Sequence, residues 1–193
     1  KQYYIISIPM DLTEQIKALQ EQFYEKNDKK RIFKKNQKYE CATSIQQSIP
    51  VSTMLEHSIY ILPNTNKIIF NYTIFKTFMN PDVFQPFVVR AFNLCNETIT
   101  NNGTFCVHLN IQGSTISGFQ RFKPIIELFL KKVDELNFDY KKYLEHASFY
   151  YPPSIMTNLL SLLYPMLEKE VMAKIIVINK ETSETEWNKV IAR

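Results

Sequence analysis

Glycine is nearly missing from this chain, with three in 193 residues. No Gly-rich loop is available to cradle a phosphate, and neither Walker nor dinucleotide-binding spacing occurs. Cysteine is equally sparse. Cys41, Cys95 and Cys106 are odd in number and lack CxxC spacing, which favours reduced, buried thiols over a disulfide scaffold or a zinc ribbon. The net charge is only +4, too small for a general nucleic-acid binder, so no nucleic-acid partner is expected. No apolar run approaches the roughly 18 residues of a membrane span. Without a leader-like segment the expectation is a cytoplasmic protein, and Lys1 as first residue is read as the start of a piece of a longer chain. The sequons at Asn71, Asn96 and Asn102 are read as chance products of an Asn- and Thr-rich composition.

Catalytic signatures are missing as well. No GxSxG or Cys/His arrangement occurs. His57, His108 and His146 are far apart, with no second ligand at metal spacing. His108, between Val107 and Leu109, reads as a hydrogen-bonded structural histidine. The expectation is no enzyme, no cofactor and no metal.

What the chain has is apolar mass: 45% hydrophobic and 13% aromatic residues. That suits one domain with an appendage and a sizeable core. Gln2–Ile8 reads as a strand, and Leu12 to about Tyr24 as a helix. Residues 26–38 then gather Lys26, Lys29, Lys30, Arg31, Lys34, Lys35 and Lys38 around Ile32 and Phe33. The plain reading is a solvated face. The functional reading is a patch that meets an anionic membrane surface, contacted by Lys29, Lys30, Arg31, Ile32, Phe33, Lys34 and Lys35.

Further on, Ser58–Leu62 and Lys67–Tyr72 read as a hairpin across Pro63–Asn66. Pro81–Leu94 reads as a helix, and Thr104–Ile111 as a strand apolar enough to be central. Phe119–Leu136 places Phe122, Ile126, Phe129 and Val133 on one helical stripe. From His146 to Ile178 the order is strand, Pro152-Pro153 corner, apolar helix over 154–167, then a strand at Lys174–Ile178. This alternation predicts an α/β fold: a single, mostly parallel sheet of five or six strands covered by helices. The helix over 154–167 is apolar on more than one face, so it reads as core or as the lid of an apolar pocket. Pro165 would give such a lid a place to bend.

Tyr151-Pro152-Pro153, Tyr164-Pro165-Met166-Leu167 and Ala173-Lys174-Ile175 have the spacing of the C-terminal half of Sec14-like (CRAL-TRIO) lipid-transfer domains, and Asn110-Ile111-Gln112-Gly113 is similar to that family's Asp-x-x-Gly. The resemblance covers roughly residues 55–180. It implies a Sec14-like lipid-binding cavity gated by helix 154–167. Ligand contacts would come from Lys174, Tyr151, Met156, Leu160, Leu163, Met166 and Phe129, with Lys174 on the family's head-group lysine. Two positions depart from the family: Tyr140-Lys141-Lys142 lacks its carboxylate, and Val171 stands where it has threonine. The resemblance therefore leaves the ligand's identity open.

The chain so read has an N-terminal strand and basic helical lead-in over 1–40 and a Sec14-like domain over 41–193. Its expected role is binding, transfer or presentation of a phospholipid or other hydrophobic ligand, in peripheral contact with membranes. The alternative is a protein-interaction scaffold of the same fold with a closed or filled pocket.

Overall fold

The computed structural model describes residues 10–27 and 34–192. It opens with α1 (Met10–Lys26), α2 (Lys34–Ser48) and α3 (Val51–Ser58). Leu12 and Ile16 of α1 are buried in the same core cluster as Cys41 and Ile45 of α2. A hairpin follows, β1 (Ile59–Ile61) and β2 (Lys67–Asn71), with Tyr60 opposite Ile69 in antiparallel register. Asn64 turns it at φ 61°, a left-handed conformation that asparagine tolerates.

Helix α4 (Tyr72–Phe78) begins where β2 ends. Asn71 Oδ1 accepts the Thr73 N–H at 3.1 Å and caps it. Asn71 is thereby buried, which removes its sequon from the surface. Helix α5 (Pro81–Asn102) is bounded as its sequence demands. Asn80 caps it, Pro81 occupies a position that needs no N–H, and Gly103 closes it at φ 80° with its N–H on the Ile99 carbonyl at 2.8 Å. The chain continues as β3 (Phe105–Asn110), α6 (Ile116–Glu135), α7 (Tyr140–Tyr143), β4 (Leu144–Tyr150), α8 (Met156–Leu163), α9 (Lys169–Ala173), β5 (Ile175–Val177) and α10 (Ser183–Ile191).

The five strands lie in the order β1-β2-β3-β4-β5. Only β1 is antiparallel to its neighbour; β2 through β5 run parallel. The sheet is therefore mixed, with a parallel majority. Each parallel step moves one place in the same direction, and successive right-handed crossovers of this kind put their helices on one face. The main core fills that side. Phe75 is its centre, with the rings of Phe70, Phe87 and Phe122 edge-on at 5.1, 5.0 and 4.8 Å, a geometry aromatic quadrupoles favour. On the opposite face α10 lays Trp187 against Tyr150 at 5.1 Å, over Tyr60, Leu62 and Ile69.

The pairing of β3 with β4 contains a β-bulge. Phe105 pairs with Leu144 and Val107 with Ala147, so Cys106 alone faces the two residues Glu145 and His146. Such an insertion re-aims side chains that regular alternation would send to opposite faces.

The hairpin, central β3, α6 and the order of the crossover over 146–178 form where the sequence places them, but the helix expected over 154–167 is shorter, Met156–Leu163, and ends before Pro165, whose ring cannot continue it. Helices α3, α4, α9 and α10 were not anticipated, and α2 only in its basic first residues. The strand expected at Gln2–Ile8 lies outside the described residues.

Candidate functional site

Pleating alone sends Phe105, Val107 and Leu109 to the helix-covered face and Cys106, His108 and Asn110 to the other. Burial departs from what a filled core would give. Val107 and Leu109, on the central strand and under helices, are only half-buried, whereas Cys106 and His108 are buried. Ala147 and Phe149 of β4 show the same partial exposure. The reason is a cavity of about 390 Å³ between sheet and helices, within the range of small-molecule pockets.

Its floor is Phe70, Val107, Leu109, Ala147, Phe149 and Ile175, one face of four adjacent strands. Helix α6 supplies Phe119, Phe122, Ile126 and Phe129, and α8 covers the space with Met156, Leu159 and Leu163. Helix α8 also turns Leu162 outward, 36% exposed, and Tyr164 just past its end is 54% exposed. Its solvent side is otherwise polar, with Thr157, Asn158 and Ser161 exposed.

Among the lining side chains only Ser114 and Tyr72 carry a polar atom. Ser114 Oγ is buried with no hydrogen-bond partner. Tyr72 packs close to the start of α6, where a Cβ added to Gly118 would collide with its hydroxyl. Lys76 Nζ lies 5.6 Å from the centre of the Tyr72 ring and hard against Gly113. Arg121, one helical step from the wall residue Phe122, is 8% exposed. Its Nε has no partner, and among the described residues neither Arg121 nor Lys76 forms an ion pair. Burial holds Arg121 below its usual range, and burial together with the Arg121 charge does the same to Lys76. A guanidinium stays protonated under such pressure, and Arg121 lies over the ring of the wall residue Phe122 at 4.3 Å, so two cations without a carboxylate partner among the described residues stand behind the Tyr72 and Phe122 wall rather than on it.

Of the residues expected to bind ligand, Phe129, Met156 and Leu163 line the cavity. Leu160 packs half-buried beside Met156 and Leu159 without lining it, and Met166 stands outside it too. Tyr151, at φ 54°, turns to the α10 side, where its N–H reaches Ser183 Oγ at 3.0 Å. Lys174 is held elsewhere: its Nζ donates to the Lys141 carbonyl and pairs with Glu170 at 3.2 Å. Its neighbours Val171 and Ile175 are the ones on the cavity wall. Of the residues expected at a membrane, Lys29, Lys30, Arg31, Ile32 and Phe33 lie outside the described residues; Lys34 and Lys35 open α2 and are exposed. Arg121, Lys76 and Ser114 carried no signal in the sequence, since each is a lone polar residue beside an apolar run.

The histidines correct the sequence reading. His108 and His146 are not apart but meet edge to face, ring centres 5.4 Å apart. The structural role expected of His108 is present in its 2.9 Å contact between Nδ1 and the Tyr150 hydroxyl. The three thiols are free and buried, and burial pushes Cys95 and Cys106 up to about 12.

No protein-family profile matches the chain, and neither does any curated protein. Among solved structures it is similar to one described as the crystal structure of Sfh5, a Sec14-family protein, with a TM-score of 0.47 and 16% identity. The likeness is distant. It covers 65% of this chain and 50% of that one, so the chain spans about half the length of the structure it matches. No helix among the described residues is long and apolar enough to cross a membrane.

Proposed function

We propose that the protein binds an amphipathic lipid without transforming it, apolar part in the cavity and acidic end beside Lys76 and Arg121. One observation carries this reading: directly behind Tyr72 and Phe122, two wall residues of an apolar space of about 390 Å³, stand the cations Lys76 and Arg121, with Arg121 Nε buried and unpartnered. Each methylene taken from water into such a space contributes about 0.8 kcal/mol, so affinity for an acyl chain needs no detailed shape match. A buried cation without a counter-ion is costly, and a ligand anion would relieve that cost. Thiols raised to about 12 are poor nucleophiles, which fits carriage better than covalent catalysis.

Exchange would take place at a membrane. Leu162 of α8 and Tyr164 just past its end are exposed at the cover of the cavity, where they could enter the head-group layer while Lys34 and Lys35 hold an anionic surface. The test is extraction of fluorescent lipids from vesicles. Acidic phospholipid should be removed at least tenfold better than phosphatidylcholine. Removal of neither lipid would refute lipid binding, and equal removal of both would refute the role given to Arg121 and Lys76.

A further inference from the structure

The β-bulge between β3 and β4 brings a second set of residues together on the sheet face opposite the cavity. Cys106 faces both Glu145 and His146. One ligand atom from each, Cys106 Sγ, a Glu145 carboxylate oxygen and a His146 ring nitrogen, all lie within 4.8 Å of one another. From this geometry we propose that Cys106, Glu145 and His146 form a binding site for a divalent transition-metal ion of the zinc class.

The donor set is borderline soft, one sulfur, one nitrogen and one oxygen, the combination zinc accepts and magnesium or calcium does not. With bonds of about 2.0–2.3 Å, ligands around a tetrahedral zinc stand roughly 3.5 Å apart. The set must contract by about 1 Å at its widest. Rotation of Glu145, which is exposed, and of His146, half-buried, supplies that movement without disturbing the ladder. The thiol already donates to Glu145 Oε2 at 3.1 Å. A metal ion would take the place of that proton, bridging the same two atoms and releasing the proton to solvent.

The surroundings hold the ligands in position. Thr104 Oγ1 donates to Glu145 Oε1, so the carboxylate is anchored on its outer oxygen. Lys67 stands beside Cys106 in register on β2. His108 lies two residues along β3 on the same face and contacts the His146 ring. Its Nε2 is buried with no partner, a nitrogen that a metal-bound water could satisfy. Three protein ligands and a water make an open site of the kind that keeps one exchangeable position. Nothing here involves the cavity, so the site stands or falls independently of lipid binding.

The experiment is titration of the full chain with Co²⁺ alone, then competition with Zn²⁺. Stoichiometric binding should bring a thiolate-to-cobalt charge-transfer band in the near ultraviolet, which Zn²⁺ abolishes. Cys106→Ser should remove that band, and His146→Ala should weaken metal binding about 100-fold or more while the circular dichroism spectrum stays native. Cys41→Ser and Cys95→Ser should leave the band unchanged. A missing band, or one that survives in both Cys106→Ser and His146→Ala, would overturn the assignment. Because His146 is half-buried, its variant still decides the matter if Cys106→Ser fails to fold.

Discussion

Replacing Ala147 by leucine puts the cavity itself to the test. Ala147 lies on the cavity floor between Val107 and Ile175, and is half-buried only because the space above it is open. Leucine adds three carbons there. If the space is real, they enter it without displacing a neighbour and bury apolar area at about 0.8 kcal/mol each. The delipidated variant should gain about 2 kcal/mol. For a domain of this size that raises Tm by roughly 4–8 °C in calorimetry. The same side chain would occupy ligand space, so vesicle extraction should fall at least fivefold. Stability and binding thus move in opposite directions, as neither a surface change nor a general packing defect would make them do. If the helices are closed on the sheet, leucine overpacks the site and costs about 1–3 kcal/mol. A loss of that size, with lipid extraction unchanged, would mean that no such space exists.

Arg121→Leu should keep or raise stability, by up to about 4 kcal/mol in urea unfolding, because an unpaired buried charge is replaced by apolar volume; preference for acidic lipid should vanish. Lys174→Met should leave lipid extraction within twofold of wild type and cost about 1 kcal/mol, since Lys174 is engaged with Glu170 and the Lys141 carbonyl. Trp187→Ala should cost about 3–5 kcal/mol by uncovering Tyr60, Ile69 and Tyr150. The double variant Lys34→Ala/Lys35→Ala should weaken binding to anionic vesicles about thirtyfold at low salt, from about 1 kcal/mol per charge, and should not alter binding to neutral ones.

Much of the architecture was legible because local signals agreed. The Phe122, Ile126, Phe129 and Val133 stripe of α6 has one period and one buried side, and Pro152-Pro153 ends β4 because neither proline can donate to the ladder. Helix α2 was illegible for the opposite reason. Its buried side is Gln37, Cys41, Ala42 and Ile45, a stripe too polar to register as amphipathic. Helix α4 reads as strand from its own residues, Tyr72-Thr73-Ile74-Phe75; the Asn71 cap and the packing of Phe75 override that propensity.

The site was legible only in part, and the missing part is informative. A residue lining a cavity and one filling a core obey the same hydrophobic pattern, so Met156 and Leu163 could be found and Leu160 could not be told from them. Lys174 matched a spacing, yet spacing does not reveal that Glu170 lies one helical turn away and binds it. Cys106, Glu145 and His146 are brought together by one inserted residue in a parallel pairing, which no linear motif records. Arg121 sits within an amphipathic helix like any solvent-facing arginine; only the packing of α1, α2 and α4 around it makes it buried.

Native mass spectrometry of the protein purified from cells shows whether the cavity carries a lipid. A bound species with the mass of a lipid is expected, released on collisional activation and reduced in Ala147→Leu. A ligand-free protein that also stays ligand-free after incubation with acidic phospholipid vesicles would contradict lipid binding.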